Sequence, residues 1–156
     1  MHVTFSLAVQ DSDVVGWNLV CTAEGRLNER PLGYQESNLL AVTHRAACED
    51  DICQAQGPDR EVAYAHPDLG VRLEVDGPDA VALLGALGPA GEQRPGSMDA
   101  TALSGAVLLA LAAHEGDGTP SPEGADEGEP DLRARLVALL DVAGAATRQG
   151  RDVVWA

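Results

Sequence analysis

The sequence predicts an α+β fold: a small, mostly antiparallel sheet, made of an N-terminal hairpin plus central and C-terminal strands, packed on three to four helices. Three observations carry that expectation. The chain opens on an alternating apolar run, its second half holds long apolar stretches of helical character, and it closes on a short β-branched and aromatic segment. Strands at both chain ends suit an antiparallel sheet with helices on one face.

Residues 2–9 place Val3, Phe5, Leu7 and Val9 on one face and Thr4, Ser6 and Ala8 on the other, the period of a strand. Gln10-Asp11-Ser12-Asp13 reads as a polar turn, and residues 14–22 as a second strand, so the pair is expected to form the hairpin. Turn-rich segments at 24–25 and 28–33 end it. A helix is expected over 36–50, with Leu39, Leu40, Val42, Ala46 and Ala47 as its apolar positions and Ser37 or Asn38 as its cap. Gly57-Pro58-Asp59 breaks the chain, and residues 61–65 and 70–75 fit strands joined by His66-Pro67-Asp68.

Asp76-Gly77-Pro78-Asp79 opens a short helix to about Leu87, because proline suits a first helical turn whose N–H is unpaired anyway. Residues 89–97 read as a Gly/Pro-rich loop. Ser97 or Asp99 starts an apolar helix to His114, with Leu103, Val107, Leu108 and Leu111 facing the core. Residues 115–131 carry seven acidic side chains and no basic one, a composition that buries too little apolar surface to offset its ordering entropy. The final helix spans 131–148, with Asp131 and Arg135 spaced for an i,i+4 pair, and Asp152 to Trp155 form the closing strand.

The 156 residues fit a single domain, 1–156, with 115–131 as an acidic flexible loop within it. Aromatics make up only 3%, so Ala, Val and Leu must build the core; all basic residues are arginine. A net charge of −15 argues against direct nucleic-acid binding, which draws affinity from Lys and Arg on phosphates, and against anionic membrane surfaces. No apolar run reaches membrane-spanning length, and the N-terminus lacks the pattern of a secretion signal. Three cysteines form no even disulfide framework, so a reducing, cytoplasmic setting is expected.

Those cysteines all lie in the first third, with one histidine among them: Cys21, His44, Cys48 and Cys53. Thiolate and imidazole are zinc ligands, and four of them complete one closed tetrahedral site. His44 and Cys48 are one helical turn apart, and Cys21 comes from the second strand, so a structural Zn2+ would pin strand to helix. Glu49, Asp50 and Asp51 offer a further carboxylate. The alternatives are three unrelated buried thiols beside a solvent-facing histidine, a Cys48–Cys53 redox pair, or a Cys/His nucleophilic dyad.

Catalytic motifs are otherwise missing: no Gly-x-Ser-x-Gly elbow, no phosphate-binding Gly-x4-Gly-Lys-Ser/Thr loop, no dinucleotide Gly-x-Gly-x-x-Gly. His114-Glu115 lacks a second histidine, and Ser104 is expected to bond back to its own helix.

Val15-Gly16-Trp17 leading to Cys21, the later Cys48 and Cys53, the run from Met98-Asp99-Ala100 to Leu111-Ala112, and the tail from Leu136 to Trp155 resemble a small uncharacterised protein family of actinobacteria and their phages. In that pattern a second cysteine stands two residues after the first; here the place is Ala23, a departure that either weakens the metal site or leaves His44 to complete it. The resemblance implies an actinobacterial or phage-associated setting and no activity.

The expected function is therefore a non-enzymatic interaction or structural/accessory protein, cytoplasmic, or a virion component if phage-encoded. Its partner would be another protein or a second copy. A zinc-dependent regulatory binding module and a small cysteine-dependent enzyme are the alternatives.

Overall fold

The computed structural model describes residues 1–92, 95–116 and 131–156. The α+β class holds, with five helices and two antiparallel sheets among the described residues. The chain packs into two compact units. One comprises Met1–Val9 and Asp68–Ala156, the other Gln10–Pro67. The second is thus inserted in sequence after the opening strand of the first.

The split unit is built on a four-stranded sheet. Strands β1 (His2–Leu7), β5 (Arg72–Asp76), β6 (Gly96–Met98) and β7 (Val153–Trp155) pair in the order β5-β1-β7-β6, all antiparallel. The alternation of β1 works as expected: Val3, Phe5 and Leu7 are buried, while Val9 lies past the strand and is exposed. Three helices bury their apolar sides on this sheet and on each other: α3 (Gly77–Ala86), α4 (Ala100–Gly116) and α5 (Leu132–Gln149). Leu83, Leu103, Val107, Leu136, Leu139 and Val142 fill the core, and Phe5 packs on Trp155 with ring centroids 5.9 Å apart.

The caps follow the sequence. Asp99 Oδ1 accepts from the N–H groups of Thr101 and Ala102, Asp131 Oδ1 accepts from Ala134, and Gly150 ends α5 in the left-handed conformation. Ser104 bonds back to the Ala100 carbonyl as expected. Two details differ. Arg135 does not pair with Asp131; its guanidinium reaches Asp79 at 2.9 Å, a partner from another helix. The end of the loop expected over 89–97 is instead part of the edge strand β6, Gly96–Met98, where Gly96 lets the backbone lie against the Trp155 indole at a place where a Cβ would overlap the ring. The acidic segment expected over 115–131 falls, from 117 to 130, outside the described residues.

The inserted unit holds a three-stranded sheet in the order β3-β2-β4, from β2 (Val14–Cys21), β3 (Gly25–Arg26) and β4 (Asp59–Tyr64). The expected hairpin of residues 2–9 with 14–22 does not form. Residue 10 instead enters a tight 3-10 turn, with Gln10 N–H bonded to Asp13 Oδ2 at 2.8 Å, and β2 pairs with β3 and β4. Pairing partners far along the chain win because each strand must bury its apolar face somewhere, and a local turn does not decide where.

Gly16 marks a β-bulge in β2. Its φ is +147°, and a Cβ there would sit 2.5 Å from the Leu32 carbonyl oxygen. Gly16→Ala is therefore expected to destabilise by about 1–3 kcal/mol, through a backbone conformation L-residues avoid and through that clash. Urea denaturation of the two proteins checks it.

The expected helix over 36–50 is two helices, α1 (Tyr34–Ala47) and α2 (Asp51–Gln56), broken at Cys48, which is extended. Neither Ser37 nor Asn38 caps α1: Gly33 precedes it with its N–H on Glu36 Oε2, and the buried Ser37 hydroxyl donates to the Tyr34 carbonyl. Of the expected apolar positions only Leu40 is half-buried; Leu39 and Val42 are 71% and 69% exposed, and Ala46 and Ala47 are exposed. The inward line of α1 runs through Ser37, Ala41 and His44 to Cys48. Among the described residues no helix is long and apolar enough to cross a membrane.

Candidate metal centre

The inserted unit has a thin apolar core. Its buried hydrophobic residues are Leu19, Cys21, Cys48, Cys53 and Ala63. The three cysteines cluster together, with Leu27 packed against them. For a unit of roughly sixty residues, so little apolar burial calls for a cross-link of another kind.

Three elements bring the candidate ligands together. Cys21 is the last residue of β2, where the chain turns through Thr22, Ala23 and Glu24 to Gly25, whose φ is +77°. His44 stands on the inward line of α1. Cys48 caps that helix, its N–H bonded to the His44 carbonyl at 2.8 Å. Cys53 lies in α2, where Asp50 Oδ2 accepts its N–H at 2.8 Å. Gln54 Nε2 donates to the Cys48 carbonyl, and the Arg45 guanidinium donates to the carbonyls of Gln54 and Ala55, tying α2 to α1. These bonds satisfy the carbonyls left open at the ends of two short helices.

One ligand atom from each of Cys21, His44, Cys48 and Cys53 lies within 4.8 Å of all the others. The Sγ atoms of Cys21 and Cys48 are 3.7 Å apart. That is too far for a disulfide, and all three cysteines are free. It is close to the ~3.8 Å edge of a tetrahedron with metal–sulfur bonds of about 2.3 Å. So tight a set suits one ion; an iron–sulfur cluster spreads its thiolates over separate irons.

The chemistry of the donors agrees with the geometry. His44 Nε2 is buried and has no hydrogen-bond partner among the described residues, a cost that binding a metal ion would relieve. The His44 imidazole beside Cys21 lowers that thiol to about 7, helped by the backbone N–H groups of Glu24 and Ala23 and opposed by burial. Burial, then the neighbouring Cys48 and Cys21 thiols, push Cys53 up to about 12.

All four residues expected from the sequence come together. The nearby carboxylates take other places: Asp50 caps α2, while Glu49 and Asp51 are exposed. The carboxylate facing the site is Glu24, whose Oε2 is 4.0 Å from His44 Nδ1. Its position in the turn after Cys21 was a signal available in the sequence, but only the fold aims it at a histidine twenty residues away.

No protein family, curated protein or solved structure matches the chain.

Proposed function

We propose that this is a zinc-stapled, non-enzymatic protein of structural or interaction type, in which Cys21, His44, Cys48 and Cys53 hold one Zn2+. The observation that carries the reading is the clustering of one ligand atom from each of Cys21, His44, Cys48 and Cys53 within 4.8 Å, with the buried His44 Nε2 lacking a hydrogen-bond partner among the described residues. Four protein ligands fill every position of a tetrahedral zinc ion and leave none for a water or a substrate, which supports a structural use over a catalytic one. Burial of all three cysteines likewise favours ligands over a nucleophile, which works as an exposed thiolate. The partner would be another protein or a second copy of the chain.

Elemental analysis of protein purified without a histidine tag tests the reading, together with a count of thiols reactive under native conditions. One zinc per chain and protected thiols are expected. Metal-free protein with freely reactive thiols overturns it.

The zinc should be pH-sensitive in a stated direction. In the unfolded chain the Cys21 thiol keeps its proton to about 9.0; in the fold it gives it up at about 7. The contribution of its thiolate to the folded site is therefore complete above 9 and lost as pH falls through 7. Protons compete with the metal for the same sulfur, so zinc affinity is expected to be lower at pH 6 than at pH 8. Chelator competition at the two values reads this; equal affinities would contradict it.

A further inference from the structure

Resting on the metal reading above, we infer that Glu24 is a positioning residue of the centre: its carboxylate accepts from the His44 Nδ1–H, holds the proton on that nitrogen and so leaves the Nε2 lone pair to the metal. A neutral imidazole carries one N–H, and whichever nitrogen carries it cannot ligate. The two nitrogens of His44 have opposite surroundings. Nε2 is buried without a partner, whereas Nδ1 faces Glu24 Oε2 at 4.0 Å. An ionised carboxylate only accepts, so the proton belongs on Nδ1 and the lone pair on Nε2.

The distance is beyond a hydrogen bond, but the Glu24 side chain is 59% exposed, with room to change rotamer, while the His44 side chain on α1 is only 11% exposed. Ligation withdraws electron density from the ring and makes the Nδ1–H a stronger donor, which draws the carboxylate in.

Glu24 stands three positions after Cys21, in the tight turn at 22–25 that Gly25 closes at positive φ.

The test uses the whole chain loaded with zinc, with ring-15N-labelled histidine. The wild-type spectrum is expected to show His44 as the Nδ1–H tautomer with Nε2 on the metal. Glu24→Ala is expected to weaken zinc binding about 10–100-fold in chelator competition. Glu24→Gln, which keeps an accepting oxygen, is expected to recover affinity to within about threefold of wild type. Glu29→Ala removes the same charge from an exposed side chain of the same unit and serves as the control. Ligation through Nδ1, or Glu24→Ala matching Glu29→Ala, overturns the role of Glu24 while leaving the zinc centre standing. A wild-type chain that takes up no zinc overturns both.

Discussion

Cys53→Ser is expected to abolish stoichiometric zinc and to unfold Gln10–Pro67. Serine has nearly the shape of cysteine but is no thiolate, so the substitution removes a ligand with little change in volume. Structural zinc supplies on the order of 10–16 kcal/mol of apparent folding free energy in small metal-dependent units, against roughly 3–5 kcal/mol from a core of this size. The buried hydrophobics here are few, and three of them are the ligands themselves. The thin core cannot replace the ion. Metal content falling from one per chain to near zero, with loss of amide protection in α1, β2 and β4, is the expected readout. Full protection in a zinc-free variant would show that Leu19, Ala63 and the buried thiols hold the unit alone.

Trp155→Ala is expected to have the largest effect in the other unit, about 3–5 kcal/mol. The indole is 2% exposed, packs on Phe5 and is approached closely by the backbone of Gly96. Its removal opens a void between β1, β6 and β7 that three short strands cannot close by shifting. The thermal midpoint should fall by roughly 10–30 °C. Zinc content of the folded protein should stay unchanged, since every ligand lies in Gln10–Pro67. A loss under about 1 kcal/mol would mean that the indole contributes little packing.

These two expectations rest on features of unequal visibility in the sequence. The alternation of Val3, Phe5 and Leu7 announces both a strand and its buried face. Asp99, Asp131, Pro78 and Gly150 announce helix ends, and each stands where it should. The ligand residues are legible as residue types, since thiols and imidazole have few other uses when grouped.

α1 was misleading because Leu39 and Val42 look like a core face. Amphipathic patterning assumes that the buried side is the apolar one. Where the core of a unit is a cluster of cysteines, the buried side carries His44 instead, and Leu39 turns out. The extended residue Cys48 was equally hidden: nothing in its neighbours interrupts a helix, but the ligand set and the Asp50 cap of α2 do.

By itself the sequence determined the α+β class, the position of most helices, and the four side chains able to hold a metal. Those depend on periods and caps that act over a few residues, where the chain has little choice. The tertiary structure alone decided which strands pair, that the chain folds as two units with Gln10–Pro67 inserted in the other, and that Glu24 faces His44. These are long-range pairings. They are chosen by which combination buries the most apolar surface and leaves the fewest polar groups unpaired, a comparison that only the complete fold makes.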